Sequence, residues 1–378
     1  MFDAVLGPNA PLIGAPAERF ARDAATPILC IDKPVFERNI AAMQAAADGW
    51  GVALRPHMKG HKSTHIARAQ LAAGAIGICC ATAKEVAVAV SAGVRDILMT
   101  TPATSPMVLA HLAGIAKAVS LTLVFDTPAG LALAAAAARD ANATFGALID
   151  IDVGQHRTGL ASPAAAVAFA SLIAEQPGLR LRGVQAYYGH LQHVATLAER
   201  RQRVAEQCAR IREVVDTLRA AGRTMDIVSG GGTGTAELDR EAGLFTELQP
   251  GSYPFMDSQY LDVERSAVQL EPALTVLARV TSDAVPGQVV IDAGTKALAT
   301  DAARFRLAAP DLPGVTHRFM GDEHSALVFA DSTARPAVGT LVSLVATHCD
   351  PTVNLHQRFH VMEAGRLVDI WPIEARGY

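Results

Sequence analysis

The chain has 378 residues, half of them hydrophobic and 5% aromatic, with 33 Lys and Arg against 37 Asp and Glu for a net charge of −4. That length allows a barrel and a smaller partner domain around a core of Ala, Val, Leu and Ile. Mild acidity without a long basic block excludes a nucleic-acid or polybasic membrane surface, and no apolar run reaches the roughly 18 residues of a membrane span. Met1 to Arg22 lacks a basic stretch followed by an apolar one, so a soluble cytoplasmic protein is expected. Cys30, Cys79, Cys80, Cys208 and Cys349 are scattered, with no C-x-x-C pair, and read as reduced, mostly structural thiols.

Residues 1–25 are rich in Pro and Ala and weakly patterned, an N-terminal arm. Pro27 to Asp32 reads as a short strand and Pro34 to Ala47 as an amphipathic helix. Strand-like runs then alternate with helix-like ones. The strands are Val52–Met58, Ile76–Ala81, Asp96–Thr100, Leu121–Phe125, Gly146–Asp152, Leu181–Tyr187, Asp226–Ser229 and Phe245–Leu248. The clearest helices are Thr64–Ala73, Thr82–Ala92, Ala129–Arg139, Pro163–Glu175 and Ala195–Ala221. Eight strands is the number that closes a parallel (β/α)8 TIM-type barrel, so an α/β fold is predicted with the barrel over residues 26–262. The alternative is an open doubly wound sheet. After Asp262 the runs Ala273–Thr281, Gln288–Ala293, Thr340–Ala346 and Arg358–Glu363 are separated by turns instead of helices, which marks residues 263–378 as a C-terminal β domain.

Chemistry in such a barrel gathers where the strands end. The first strand runs into Arg55-Pro56-His57-Met58-Lys59-Gly60-His61-Lys62. Burial there is expected to lower the pKa of Lys59 and free its amine to attack a carbonyl, against the plainer reading of a basic surface loop. The fifth strand ends in Asp152-Val153-Gly154-Gln155-His156-Arg157-Thr158-Gly159 and the sixth in Tyr187-Tyr188-Gly189-His190-Leu191-Gln192-His193. The seventh ends in Ser229-Gly230-Gly231-Gly232-Thr233-Gly234-Thr235 and the eighth in Gln249-Pro250-Gly251-Ser252-Tyr253. The Gly230–Gly234 loop lets backbone N–H groups converge on an anion, with hydroxyls from Ser229, Thr233 and Thr235. A phosphate nest beside a strand-end lysine suggests pyridoxal phosphate (PLP) held as an imine.

In the β domain, His348-Cys349-Asp350 follows an apolar run. Extended backbone would put residues 348 and 350 on one side, able to share a divalent cation, with Cys349 pointing away; the alternative is a strand end capped by an Asp-Pro turn. Asp322-Glu323-His324 reads as an ordinary polar loop.

Taken together, these segments resemble the D-threonine aldolase group of fold-type III PLP enzymes, relatives of alanine racemase. Gly77-Ile78-Cys79-Cys80 and Glu247 to Tyr253 match as well, and the set spans nearly the whole chain in the family's order. The resemblance implies a PLP barrel followed by a β domain, with active sites completed across a homodimer. It implies that Lys59 carries the cofactor imine, that Arg157 lies beside the phenolate oxygen and Tyr187 near the ring, and that Ser229, Gly231, Gly232, Thr233, Gln249 and Tyr253 help to bind the cofactor. His348 and Asp350 match the aldolases' metal ligands. Two features depart from the racemases: Gln249 stands where they place an arginine, and their second-domain tyrosine base is not found. D-serine dehydratases carry His-x-Cys where this chain has His-x-Asp, a donor pair suited to Mn²⁺ or Mg²⁺ more than Zn²⁺.

The implied function is retro-aldol cleavage of D-β-hydroxy-α-amino acids, D-threonine giving glycine and acetaldehyde. The base is one of His193, His61 or a metal-bound hydroxide. The alternatives are dehydration of D-serine or a 3-hydroxyaspartate at the same site, and a barrel-only protein of PLP homeostasis, against which the β domain counts.

Overall fold

The computed structural model describes residues 7–265, 267–301, 306–330 and 335–377. Eight parallel strands follow one another around a single sheet: Ala53–Leu54, Ile78–Cys80, Asp96–Met99, Ser120–Phe125, Phe145–Asp150, Leu179–Ala186, Ile227–Gly230 and Glu247–Leu248. Each of the eight falls inside or within two residues of a predicted run. The last strand pairs with the first through Glu247 and Leu248. On the other side, Cys79 N donates to Pro56 O at 2.8 Å and Ile76 N to Leu54 O at 2.9 Å, which closes the ring.

The helices start where capping chemistry directs. Ser105, Thr127 and Ser162 each accept a backbone N–H of the following first turn, with proline next in sequence at Pro106, Pro128 and Pro163. Proline at that position lacks the N–H that a helix start leaves unpaired anyway. The connection from Thr233 to Leu244, weakly patterned in sequence, holds the short helix Ala236–Glu241. Among the described residues no helix is long and apolar enough to cross a membrane.

Among the described residues the second sheet has nine strands, and its membership crosses the 262/263 boundary drawn from sequence. Ile28–Asp32 pairs antiparallel with Leu274–Ser282 and parallel with Arg358–Glu363. The arm is packed: Leu12, Ala15, Phe20 and Ala24 form a small core with Ile28, Cys30, Leu367 and Ile370, while residues 1–6 lie outside the described part. Val315–Phe319, Ser325–Phe329 and Arg366–Pro372, which composition did not mark, add strands to the same sheet. Asp322 and Glu323 lie on an exposed loop and pair with Lys296. The five cysteines are all buried and unpaired.

Candidate active site

A cavity of about 420 Å³ opens at the C-terminal ends of the barrel strands, within the range of small-molecule sites. Lys59 reaches it from a turn of 3₁₀-helix, Met58–Gly60, that His57 holds by accepting Lys59 N–H on Nδ1 at 3.2 Å. Arg55 is not part of a surface loop. It is 3% exposed and forms a two-pronged ion pair with Glu247 (2.9 and 3.0 Å) plus a third contact with Asp96 at 2.9 Å.

Lys59 Nζ stands 3.5 Å from Asp350 Oδ2. The predicted lowering of its pKa is overturned: the Asp350 charge stabilises the ammonium more than burial disfavours it, so Lys59 is raised. Asp350 answers in kind. Burial works to raise it, yet Lys59 and His348 outweigh that and hold it below the usual carboxylate value.

His348 and Asp350 both line the cavity, but not as alternate positions on a strand. His348 is the N-cap of the helix Cys349–Leu355, and Asp350 lies in its first turn. A helix start projects these side chains into the site, and Cys349 between them is fully buried, its thiol 3.3 Å from Asp350 Oδ1. Asp257, also fully buried, accepts Cys349 N–H at 2.9 Å and fixes this helix to the barrel. Asp301, with no signal in the sequence, holds His348 Nδ1 at 2.6 Å, which leaves Nε2 for the cavity. A carboxylate behind an imidazole is the usual way to aim a ligating histidine.

Three further histidines lie near the lysine, and hydrogen bonding sorts them. His57 accepts on Nδ1, so its Nε2 carries the proton and meets Thr100 Oγ1 at 2.9 Å. His61 accepts Ser63 N–H on Nδ1 at 3.1 Å, its ring does not line the cavity, and burial lowers its pKa to about 3. Neither has a lone pair turned to the site. His193 does line it, its ring 4.5 Å from that of Tyr260. The protein around it, helped by His348, disfavours its charged form and lowers its pKa to about 4, so the imidazole is neutral near pH 7.

Arg157 sits in a loop bridged at its base by Ile151 and Leu160, its guanidinium 5.7 Å from the centre of the Tyr187 ring. Asp152 shapes that loop by accepting N–H groups of Gly154 and His156 at 3.1 and 3.0 Å. Gly159 must be glycine: its φ is +108°, and a β-carbon would meet Asp152 N at 2.4 Å.

Tyr187, Arg157, Gln249, Gly232 and Thr233 line the cavity; Ser229, Gly231 and Tyr253 do not. Ser229 lies beneath the floor, donating to Glu247 Oε1 at 2.7 Å and accepting from Gln249 Nε2 at 2.8 Å. Tyr253 is 1% exposed. The glycine loop is also less open than its sequence suggests. Gly232 N–H goes to Thr235 Oγ1 at 3.2 Å and Gly234 N–H to Gln192 Oε1 at 2.9 Å. Its cavity-facing part, Gly232-Thr233, joins Gly251-Ser252 of the next strand end, where Ser252 N donates to Thr233 Oγ1 at 3.1 Å.

His57, Gln155, Gln192 and Ser252 stand in the strand-end segments but were given no role in the sequence reading, and Thr100 and Tyr260 were not singled out; all six line the cavity. The set fits PLP: one amine, a guanidinium, a floor amide and a two-loop cradle of hydroxyls. Among the described residues no three His, Cys, Asp or Glu side chains form a closed metal cage. His348 and Asp350 fit an open site of two protein donors, with other positions left to substrate and water.

Residues 31–259 match the alanine racemase N-terminal domain, and residues 273–362 match a putative serine dehydratase domain. The chain is 39% identical over 355 residues to D-threonine aldolase of Arthrobacter sp., covering 93% of each. It is 34% identical over 360 residues to 3-hydroxy-D-aspartate aldolase of Paracoccus denitrificans, covering 93% of this chain and 92% of that one. D-threonine aldolase from Filomicrobium marinum superposes with a TM-score of 0.91 at 36% identity, over 94% of this chain and 96% of the other. D-threo-3-hydroxyaspartate dehydratase from Delftia sp. HT23 superposes with a TM-score of 0.85 at 29% identity, over 95% and 99%. A variant of that dehydratase has been solved in a metal-free form. With the barrel, the strand-end lysine and these matches agreeing, the chain belongs to the alanine racemase N-terminal domain family, in its D-threonine aldolase group of lyases.

Proposed function

We propose that the chain is a PLP- and divalent-metal-dependent aldolase that cleaves D-β-hydroxy-α-amino acids, D-threonine to glycine and acetaldehyde. The observation that carries this reading is the convergence of the Lys59 amine, the His193 imidazole and the His348/Asp350 pair on one cavity. Bound PLP supplies an electron sink for the pair released when the Cα–Cβ bond breaks, and a metal polarises the substrate's β-hydroxyl. Lys59 would hold the cofactor, with Thr233 and Ser252 on its phosphate side and Arg157, Tyr187 and Gln249 along its ring. His348 and Asp350 would hold Mn²⁺ or Mg²⁺.

His193 removes the proton of the β-hydroxyl in this scheme. It is neutral near pH 7, whereas His61, the other histidine candidate, and the neighbouring His57 have both ring nitrogens committed or turned away; a metal-bound hydroxide is the remaining alternative. Lys59 and Arg157 bring positive charge to a cavity that would take anionic groups. The enzyme works in the cytoplasm as a homodimer in this reading, which light scattering on the purified protein tests.

A product assay decides. The protein with PLP and D-threonine, with Mn²⁺ or with EDTA, and with L-threonine as control, is expected to give glycine and acetaldehyde from the D-isomer only, and none with EDTA. 2-Oxobutyrate and ammonia instead would support the second reading, a dehydratase, which the likeness to the Delftia enzyme favours.

A further inference from the structure

Behind the glycine loop lies a layer of buried side chains outside the cavity's lining. Asp239, on the helix Ala236–Glu241, is fully buried. Thr235 Oγ1 donates to its Oδ2 at 2.7 Å, and the Tyr188 hydroxyl donates to its Oδ1. Neither Asp239 nor Thr235 nor Tyr188 lines the cavity. Thr235 has one hydroxyl hydrogen, spent on Asp239, and its oxygen accepts Gly232 N–H at 3.2 Å and Gln192 Nε2–H at 3.0 Å. Gln192 Oε1 then takes Gly234 N–H at 2.9 Å. An acceptor at Asp239 takes the single Thr235 hydroxyl hydrogen, which leaves the Thr235 oxygen to accept from the loop and from Gln192.

Gly231 is explained by the same layer. Its φ is +66°, and a β-carbon there would stand 2.2 Å from Asp239 Oδ2. Glycine at 231 leaves room for the carboxyl group.

We propose that Asp239, braced by Tyr188, is the positioning residue that holds the loop 230–235 in its ligand-ready shape. The proposal goes one layer beyond the cofactor reading and rests on it. Burial lifts the Asp239 pKa to about 7 against the hydrogen bonds from Tyr188, Thr235 and Gly232 N–H, so those donors favour its carboxylate form.

The test is a titration of metal-free apoprotein with PLP, read by imine absorbance, for wild type, Asp239→Asn, Thr235→Val, Tyr188→Phe and the Asp239→Asn/Thr235→Val double variant. Asp239→Asn keeps the shape but puts an N–H donor at one of the two positions where the carboxylate accepts, Oδ1 from Tyr188 or Oδ2 from Thr235. It and Thr235→Val are each expected to weaken PLP binding about 10- to 100-fold, the range seen for groups one layer behind the ligands of a metal. The double variant should be no weaker than the worse single one, because both break one chain of bonds. Tyr188→Phe should shift affinity the same way by less, and kcat at saturating PLP should fall less than affinity in every variant. If Asp239→Asn does not fold, the Thr235 and Tyr188 variants carry the test. Binding within twofold of wild type in the folded variants, or losses that simply add, would overturn the proposal. A wild-type protein that forms no imine would remove the cofactor reading and this inference together.

Discussion

Lys59 Nζ and Asp350 Oδ2 stand 3.5 Å apart, one from the first strand end of the barrel and the other from a helix near the chain's far end. The pair makes the two domains one site. It also places the amine that would hold a cofactor against the carboxylate that would hold a metal. Lys59→Ala is expected to abolish the imine absorbance and all activity; a persisting imine band would disprove the assignment.

Asp350→Ala should separate the two roles. PLP binding and its imine spectrum are expected to remain, while activation by divalent ions is lost. An activity that still rises with Mn²⁺ as in wild type would refute the ligand assignment.

Histidine tautomers make a sharper prediction. His193→Phe should retain the PLP spectrum and lower kcat about 10²- to 10⁴-fold, the usual worth of a general base. His61→Gln should cost stability and leave kcat within a fewfold. The reverse pattern would show that the hydrogen-bond assignment of the rings is wrong.

The Arg55–Glu247 pair lies inside the barrel and ties its first strand to its last. Removing one partner strands a buried charge, so Arg55→Ala is expected to destabilise the fold by about 3–5 kcal/mol. Chemical denaturation checks this, and a change under 1 kcal/mol would contradict the geometry.

His360 is buried beside the N-terminal arm, its ring 3.2 Å from the Asn9 amide and 3.3 Å from Leu29 O. Burial lowers its pKa from 6.5 to about 4. Below pH 6.5 the unfolded chain takes up a proton at this site and the folded chain does not, so stability is lost as pH falls toward 4. The slope is about 1.4 kcal/mol per unit. Against His360→Gln, wild type should lose roughly 3 kcal/mol of relative stability between pH 6.5 and 4; a constant difference would exclude the linkage.

The barrel was legible because its buried strands read as short apolar runs at regular intervals, and because polar residues collect where those runs end. Lys59, Arg157, Tyr187 and Gln249 were found by that rule, and all four line the cavity. Ser229 and Gly231, marked by glycine and hydroxyl composition, stand outside the cavity's lining, since a residue can serve a loop from behind as well as from its face. His348 and Asp350 were found through a strand geometry that the chain does not adopt there; a helix start achieves the same convergence. Asp301 and Asp239 could not be read at all, because their partners are fixed only by tertiary packing. The pKa of Lys59 was misjudged for the same reason: burial was visible in the pattern, but the neighbouring carboxylate was 291 positions away.

The strand Ile28–Asp32, held between Leu274–Ser282 and Arg358–Glu363, has a consequence for biosynthesis. A segment near residue 30 must wait for one about 330 residues later to gain its parallel neighbour. Thr64 Oγ1 likewise meets Glu374 Oε1 at 2.6 Å, and Ala375 N meets Lys62 O at 3.0 Å, three residues from the proposed imine lysine. The surroundings of that lysine are therefore completed only once residues 374 and 375, more than 300 positions later, are in place.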